Sequence, residues 1–151
     1  MAKFEFRLAT LLKLRIAERD ERRSELAEAL KALAIIDERT GQIESEVHLA
    51  RSAVQQAVGE QTVAVDTLLD NQRYELQLMA EKKAAEEQRE KVAVETDRRR
   101  SVLVEADRQV KTLEKLRDRE HQQHRAREER REAKQIDEVA VRTHAMRAVQ
   151  L

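Results

Sequence analysis

Proline, cysteine and tryptophan are absent from all 151 residues, and glycine occurs only at positions 41 and 59. Each absence excludes something. Without proline, no helix meets the residue that removes a backbone donor and clashes with the preceding turn, and two glycines add few other weak points. Without cysteine there are no disulfides and no thiolate metal sites. Aromatic residues make up 2% of the chain, as Phe4, Phe6 and Tyr74, so the large side chains that fill a thick core are missing. Neither sign of charge prevails, since 30 Lys and Arg balance 30 Asp and Glu. That balance removes any global attraction to nucleic acid or to an anionic membrane. No apolar run reaches the ~20 residues that a bilayer span requires. The opening Met1-Ala2-Lys3-Phe4-Glu5-Phe6-Arg7 is charged at alternate positions and is read as no signal peptide.

What remains is mainly Ala, Leu, Val, Ile, Glu, Lys and Arg, with 40% of the chain charged, the mixture of a coiled coil. Disorder is the competing reading of so much charge, but the signs are mixed and the apolar residues recur at helical spacing. Leu26, Leu33, Ile36, Ile43, Val47 and Val54, with Ala29, Thr40, Ala50 and Ala57 between them, form one seam of alternating three and four steps. More than four heptads in phase mark a coiled coil rather than an ordinary amphipathic helix. Backwards, the seam meets Arg22, Arg19 and Arg15 before Leu12 and Leu8. A second segment carries Leu68, Tyr74 or Leu76, Leu78, Ala85, Val92, Leu103, Ala106, Val110, Leu113 and Leu116, with stutters expected around Arg98, Arg99 and Arg100.

Between the two lies the one plausible break. Gly59 suits a helix end in the left-handed conformation, Thr62, Val63 and Val65 are branched, and Asp66 can cap a following helix. The expected fold is all-α: one coiled-coil hairpin over 1–151, antiparallel and two-helix, with helix 1 at about 3–58, a turn at about 59–66 and a longer helix 2 at about 67–145. Folding back near position 62 makes facing residue numbers add to roughly 124 at ~1.5 Å rise per residue. Helix 1 then runs out opposite residue 120 or so, and close to thirty residues project beyond it. Truncation after Leu116 is expected to leave the hairpin intact.

Two segments stand out beside the seam. The first is Phe4-x-Phe6-x-Leu8-x-x-Leu11-Leu12-x-Leu14-Arg15 followed by Glu18. The second runs from Leu113-Glu114-Lys115-Leu116-x-x-Arg119-Glu120 through Glu128, Arg131-Glu132, Lys134 and Ile136-Asp137-Glu138 to Ala140 and Arg142. Together they resemble the FliJ family, the small coiled-coil component of the flagellar type III export apparatus. The resemblance implies a two-helix stalk similar to the rotor subunit of rotary ATPases. It implies three partners: the hexameric flagellar export ATPase at the end holding both termini, the cytoplasmic domain of the export gate membrane protein, and export chaperones. It also implies a cytoplasmic protein associated peripherally with the inner membrane at the flagellar base. The family's gate contact is an aromatic followed by a leucine one turn later, positions that Tyr74 and Leu78 can occupy.

Candidate partner-binding residues at the ATPase end are Arg15, Arg19, Arg22, Arg23, Arg117, Arg119, Arg127 and Arg131. From Arg117 to Lys134 seven bases alternate with five acids. Ion pairs three or four apart stabilise such a helix by only ~0.2–0.5 kcal/mol each, and helices in proteins depend mostly on a packed face. The N-terminal arginines are expected either to snorkel towards Glu105, Asp107 or Glu114 or to form a docking surface. His121 and His124 share a face, but with no third ligand fixed beside them they are read as surface residues rather than a metal site. No glycine loop can cradle phosphate, and a two-helix rod offers no concave pocket for catalysis. The expectation is therefore a non-enzymatic coupling component without cofactor, metal, nucleic acid or membrane insertion. The alternatives are a parallel dimeric spacer and the equivalent stalk of an injectisome-type system.

Overall fold

The computed structural model describes residues 3–60 and 64–149, without the side chains of 147–149. Two helices make up the fold: α1, Ala9–Gly59, and the longer α2, Val65–Val149. They pack antiparallel as a helical hairpin. Pairing within one chain runs against a parallel dimeric spacer, because α1 and α2 hold each other. Thr62 and Val63, expected in the turn, lie outside the described residues.

The helix ends differ in detail from the sequence reading. Helix α1 begins at Ala9 rather than near residue 3, with Ala9 N–H bonded to the Phe6 carbonyl and Leu12 N–H to that of Leu8. Before it, Phe4, Phe6 and Leu8 are half-buried and Lys3, Glu5 and Arg7 exposed, the period-two alternation of an extended segment. Gly59 closes α1 but does not adopt a left-handed φ, so it acts there only as a poor helix former. Asp66 falls inside the first turn of α2 rather than at its cap, since the Ala64 carbonyl already accepts from Thr67 and Leu68. There its carboxylate complements the positive end of the helix.

The α1 seam is as the heptads require: every member from Leu8 to Ala57, the three arginines included, is buried or half-buried. Helix α2 departs from expectation. Its inward face runs Leu68, Asn71, Glu75, Leu78, Lys82, Ala85, Val92, Thr96, Arg99, Leu103, Ala106, Val110, Leu113, Arg117, Glu120 and His124. Those steps alternate three and four, with one interval of seven spanning Arg89, so no stutter exists near Arg98–Arg100. The register looks interrupted in the sequence only because polar residues hold seam positions.

Packing divides the chain into two units, residues 1–20 with 105–151 and residues 21–104. In the second, Ile43, Val47 and Leu78 form a core cluster and Ala29 and Thr96 are also buried. The Thr96 hydroxyl donates to the Val92 carbonyl at 2.8 Å, so its burial leaves nothing unsatisfied. Around this seam, Arg51 reaches Glu75, Arg39 Glu81, Lys82 Glu44 and Arg89 Asp37. Arg99 donates across the hairpin to the Glu25 carbonyl at 2.6 Å. Partner numbers add to 126 for Arg51 with Glu75, 120 for Arg39 with Glu81 and 124 for Arg99 with Glu25, the register expected of a chain folding back near 62. Exposed pairs of this kind are screened by solvent and add little to stability; their role is to fix register over a thin apolar line.

In the other unit Leu12, Ala106 and Val110 are the buried apolar residues. Phe4 sets its ring against two histidines of α2, with centroids 5.1 Å from His121 and 5.7 Å from His124. From residue 129 to 146 every side chain of α2 is exposed. Among the described residues no helix packs against this eighteen-residue arm.

Acid sensitivity should concentrate at Glu95. It accepts hydrogen bonds from Arg98 and Arg99, and these, Arg98 foremost, hold its carboxyl at about 2 against an ordinary 4.5. A depressed folded-state value means that the pairing stabilises fully above pH 4.5 and is lost as pH falls towards 2. Glu95→Gln should therefore melt slightly below wild type at neutral pH. The difference should close between pH 4.5 and 2 in circular-dichroism melts.

Candidate partner-binding surfaces

The eight arginines expected at the ATPase end are divided between the units, Arg22 and Arg23 in one and the remaining six in the other. Most reach an acid on their own helix. Arg15 pairs with Glu18 at 2.9 Å, Arg19 with Asp20 at 3.1 Å, Arg22 with Glu25 at 3.1 Å, Arg117 with Asp118 at 3.0 Å and Arg131 with Glu128 at 2.9 Å. Arg127 donates to the Gln123 carbonyl at 3.2 Å. At seam positions 15, 19, 22 and 117 the arginines are half-buried while pairing with these acids, as long amphipathic side chains allow. Arg23, Arg119, Arg127 and Arg131 are exposed. At least five of the eight carry a neighbouring anion, so the surface offers exchangeable ionic contacts rather than a strong positive field.

The two residues expected at the gate contact separate. Tyr74 is 46% exposed and its hydroxyl donates to a Glu46 carboxylate oxygen at 3.3 Å, whereas Leu78 is 3% exposed and sits in the core with Ile43 and Val47. Leu78 cannot touch a partner without opening the seam. The exposed apolar residues of this stretch of α2, Leu76 and Met79, lie on another side of the helix from Tyr74, and Met79 lines a shallow groove with Val47, His48 and Arg51. The step of seven from Leu69 to Leu76 was the sequence signal for a second apolar stripe outside the seam.

The Phe4 anchor was also missed. Strand-like alternation at Phe4 and Phe6 and two histidines one turn apart were visible separately, but only the fold brings them together. A groove of about 520 Å³ beside this contact is lined by Phe4, His121, His124, Arg125, Glu128 and Glu132, among others. Its histidines are occupied with the phenyl ring, and among the described residues no group of three or more His, Asp or Glu is placed to hold a metal.

The sequence matches the family model of the Flagellar FliJ protein over residues 4–148. The chain belongs to the FliJ family. Comparison with curated proteins and with solved structures returns no match. The match takes in the extended Phe4 segment, both helices and the exposed arm, so the fold described above is a FliJ-family hairpin almost end to end. It makes the chain a component of flagellar protein export and flagellum biogenesis, in a family of non-catalytic export proteins. Among the described residues no helix is long and apolar enough to cross a membrane.

Proposed function

We propose that this FliJ-family chain is a non-enzymatic coupling component that binds the hexameric export ATPase ring through its 129–146 arm and contacts the cytoplasmic domain of the export gate around Tyr74. In this reading it also escorts export chaperones and works in the cytoplasm, at the inner-membrane face of the flagellar base. The observation that carries it is the arm itself. The arm continues α2 past its last packed turn, whereas helices in proteins draw most of their stability from tertiary packing. A chain that keeps such a segment helical with no packed face is built to meet another protein. Arg117, Arg119, Arg127 and Arg131, with Arg15, Arg19, Arg22 and Arg23, would supply steering charge, which acts mainly on association rate. Tyr74 has the amphipathic character enriched at binding centres, with Leu78 fixing the helix behind it rather than meeting the gate.

Binding of the full-length chain to the cognate purified export ATPase and, separately, to the gate's cytoplasmic domain tests this. Replacing Arg117, Arg119, Arg127 and Arg131 by Ser should slow association with the ATPase and leave the gate interaction unchanged. Tyr74→Ala should do the opposite, weakening the gate interaction at least about fivefold, as expected for loss of an aromatic anchor. A wild-type chain that binds neither protein would sink the proposal.

A further inference from the structure

We propose that the arm is held in its partner by an apolar face, Ile136, Val139, Thr143 and Met146 with Ala133 and Ala140, which docks into an apolar groove between two helices of that partner. This inference rests on the reading of the arm as the ATPase contact and adds the chemistry by which it holds. Ile136, Val139 and Met146 are 68%, 62% and 71% exposed; Ala133, Ala140 and Thr143 are exposed as well. The Thr143 hydroxyl is turned back onto the Val139 and Ala140 carbonyls, so the residue presents its methyl group outward at little polar cost.

Two observations identify what covers this face. The first is continuity with an interface the chain already makes. Eleven residues complete three turns of a nearly straight helix. That step places Ile136 above Arg125, Val139 above Glu128 and Thr143 above Glu132. Arg125, Glu128 and Glu132 line the groove against Phe4. The apolar face thus prolongs the side of α2 that the chain's own N-terminal segment covers, beginning where that cover stops. The second is width. At 100° per residue the six side chains spread over about 140°, well beyond the narrow stripe of a two-helix seam. A single facing helix would leave half of that arc in water. A groove between two helices covers it, the arrangement by which amphipathic helices are commonly recognised. Asp137 and His144 flank the edge of this face, and Lys134 and Glu138 lie opposite it together with Val141 and Ala145.

Arginines and apolar face then have separable effects: charge sets the association rate and the buried face the dissociation rate. Kinetics of the full-length chain with the cognate export ATPase at 100 and 500 mM salt should show this. Ile136→Asp with Val139→Asp should raise the dissociation rate at least about tenfold while leaving the melting temperature at the wild-type value, because neither side chain is packed in the free protein. Asp137→Ser with Glu138→Ser, on or near the outer side, should leave dissociation within about twofold. The wild-type dissociation rate should change less than about threefold between the two salts, since contacts shielded from solvent are screened little. Unchanged dissociation in the Ile136→Asp, Val139→Asp chain would overturn the inference and leave the ATPase reading standing. Absence of wild-type binding would remove both. A dimer of the free chain in analytical ultracentrifugation, abolished by the same double substitution, would assign the face to a second copy and overturn the proposal.

Discussion

Ile43→Asn is expected to lower the melting temperature by on the order of 10–20 °C, the amount that about 3–5 kcal/mol represents in a chain of this size. Ile43 is fully buried in the cluster with Val47 and Leu78. The substitution removes apolar contacts and leaves an amide without a designed partner, and total stabilities of about 5–15 kcal/mol make that loss large. Asparagine is the informative choice over aspartate. At the observed register Lys82 faces position 43, and its ammonium, already bound to Glu44, could recruit a carboxylate and mask the effect. Leu33→Asp, the change that the sequence pattern alone recommends, should be milder, because Leu33 is only half-buried. Thermal circular dichroism on both variants gives the ranking. Equal melting temperatures would mean that the seam has no centre at Ile43.

That ranking separates what was legible in the sequence from what was not. In α1 the inward side chains are mostly apolar, so heptad spacing named the seam correctly, down to the arginines that continue it towards Leu12 and Leu8. In α2 the partner helix imposes the same heptads on a line where Asn71, Glu75, Lys82, Thr96, Arg99, Arg117 and Glu120 stand. Apolar periodicity cannot see such positions, because polar residues fill them: Lys82 reaches Glu44 from the seam, Arg99 reaches the Glu25 carbonyl and Thr96 bonds the Val92 carbonyl. The expected stutter at Arg98–Arg100 was this blindness. The register itself was legible, since it follows from a single turn position and a common helical rise.

The candidate sites were less legible for a related reason. Leu78 fitted both the α2 seam and the gate pattern, and only the burial of its side chain decides between them. The arginines were visible as charge, but their acids one turn away could not be weighed until the rotamers were fixed. On the arm, Ile136, Val139 and Met146 were few enough among charged neighbours to look incidental. They gain meaning from the face they share with the groove at Phe4.

Removing residues 129–151 is expected to abolish association with the export ATPase while shifting the melting temperature by less than about 2 °C, the effect of deleting surface that packs against nothing. The boundary matters. Truncation after Leu116 would also take Glu120, His121, His124 and Glu128, of which all but His121 are half-buried. Phe4 would then lose both rings that hold it, and the extended segment before Ala9 would have nothing to lie on. That shorter chain should melt several degrees lower, since burying an aromatic side chain contributes about 1.5–3 kcal/mol. The pair of truncations therefore measures two things that the first alone would confuse: where the hairpin ends as a folded body and where the arm begins as a docking element. Melting curves of the two chains beside wild type, with sedimentation against the ATPase, give both answers. If the chain ending at Glu128 melts far below wild type, the arm is packed in the free protein and its exposed face is not waiting for a partner.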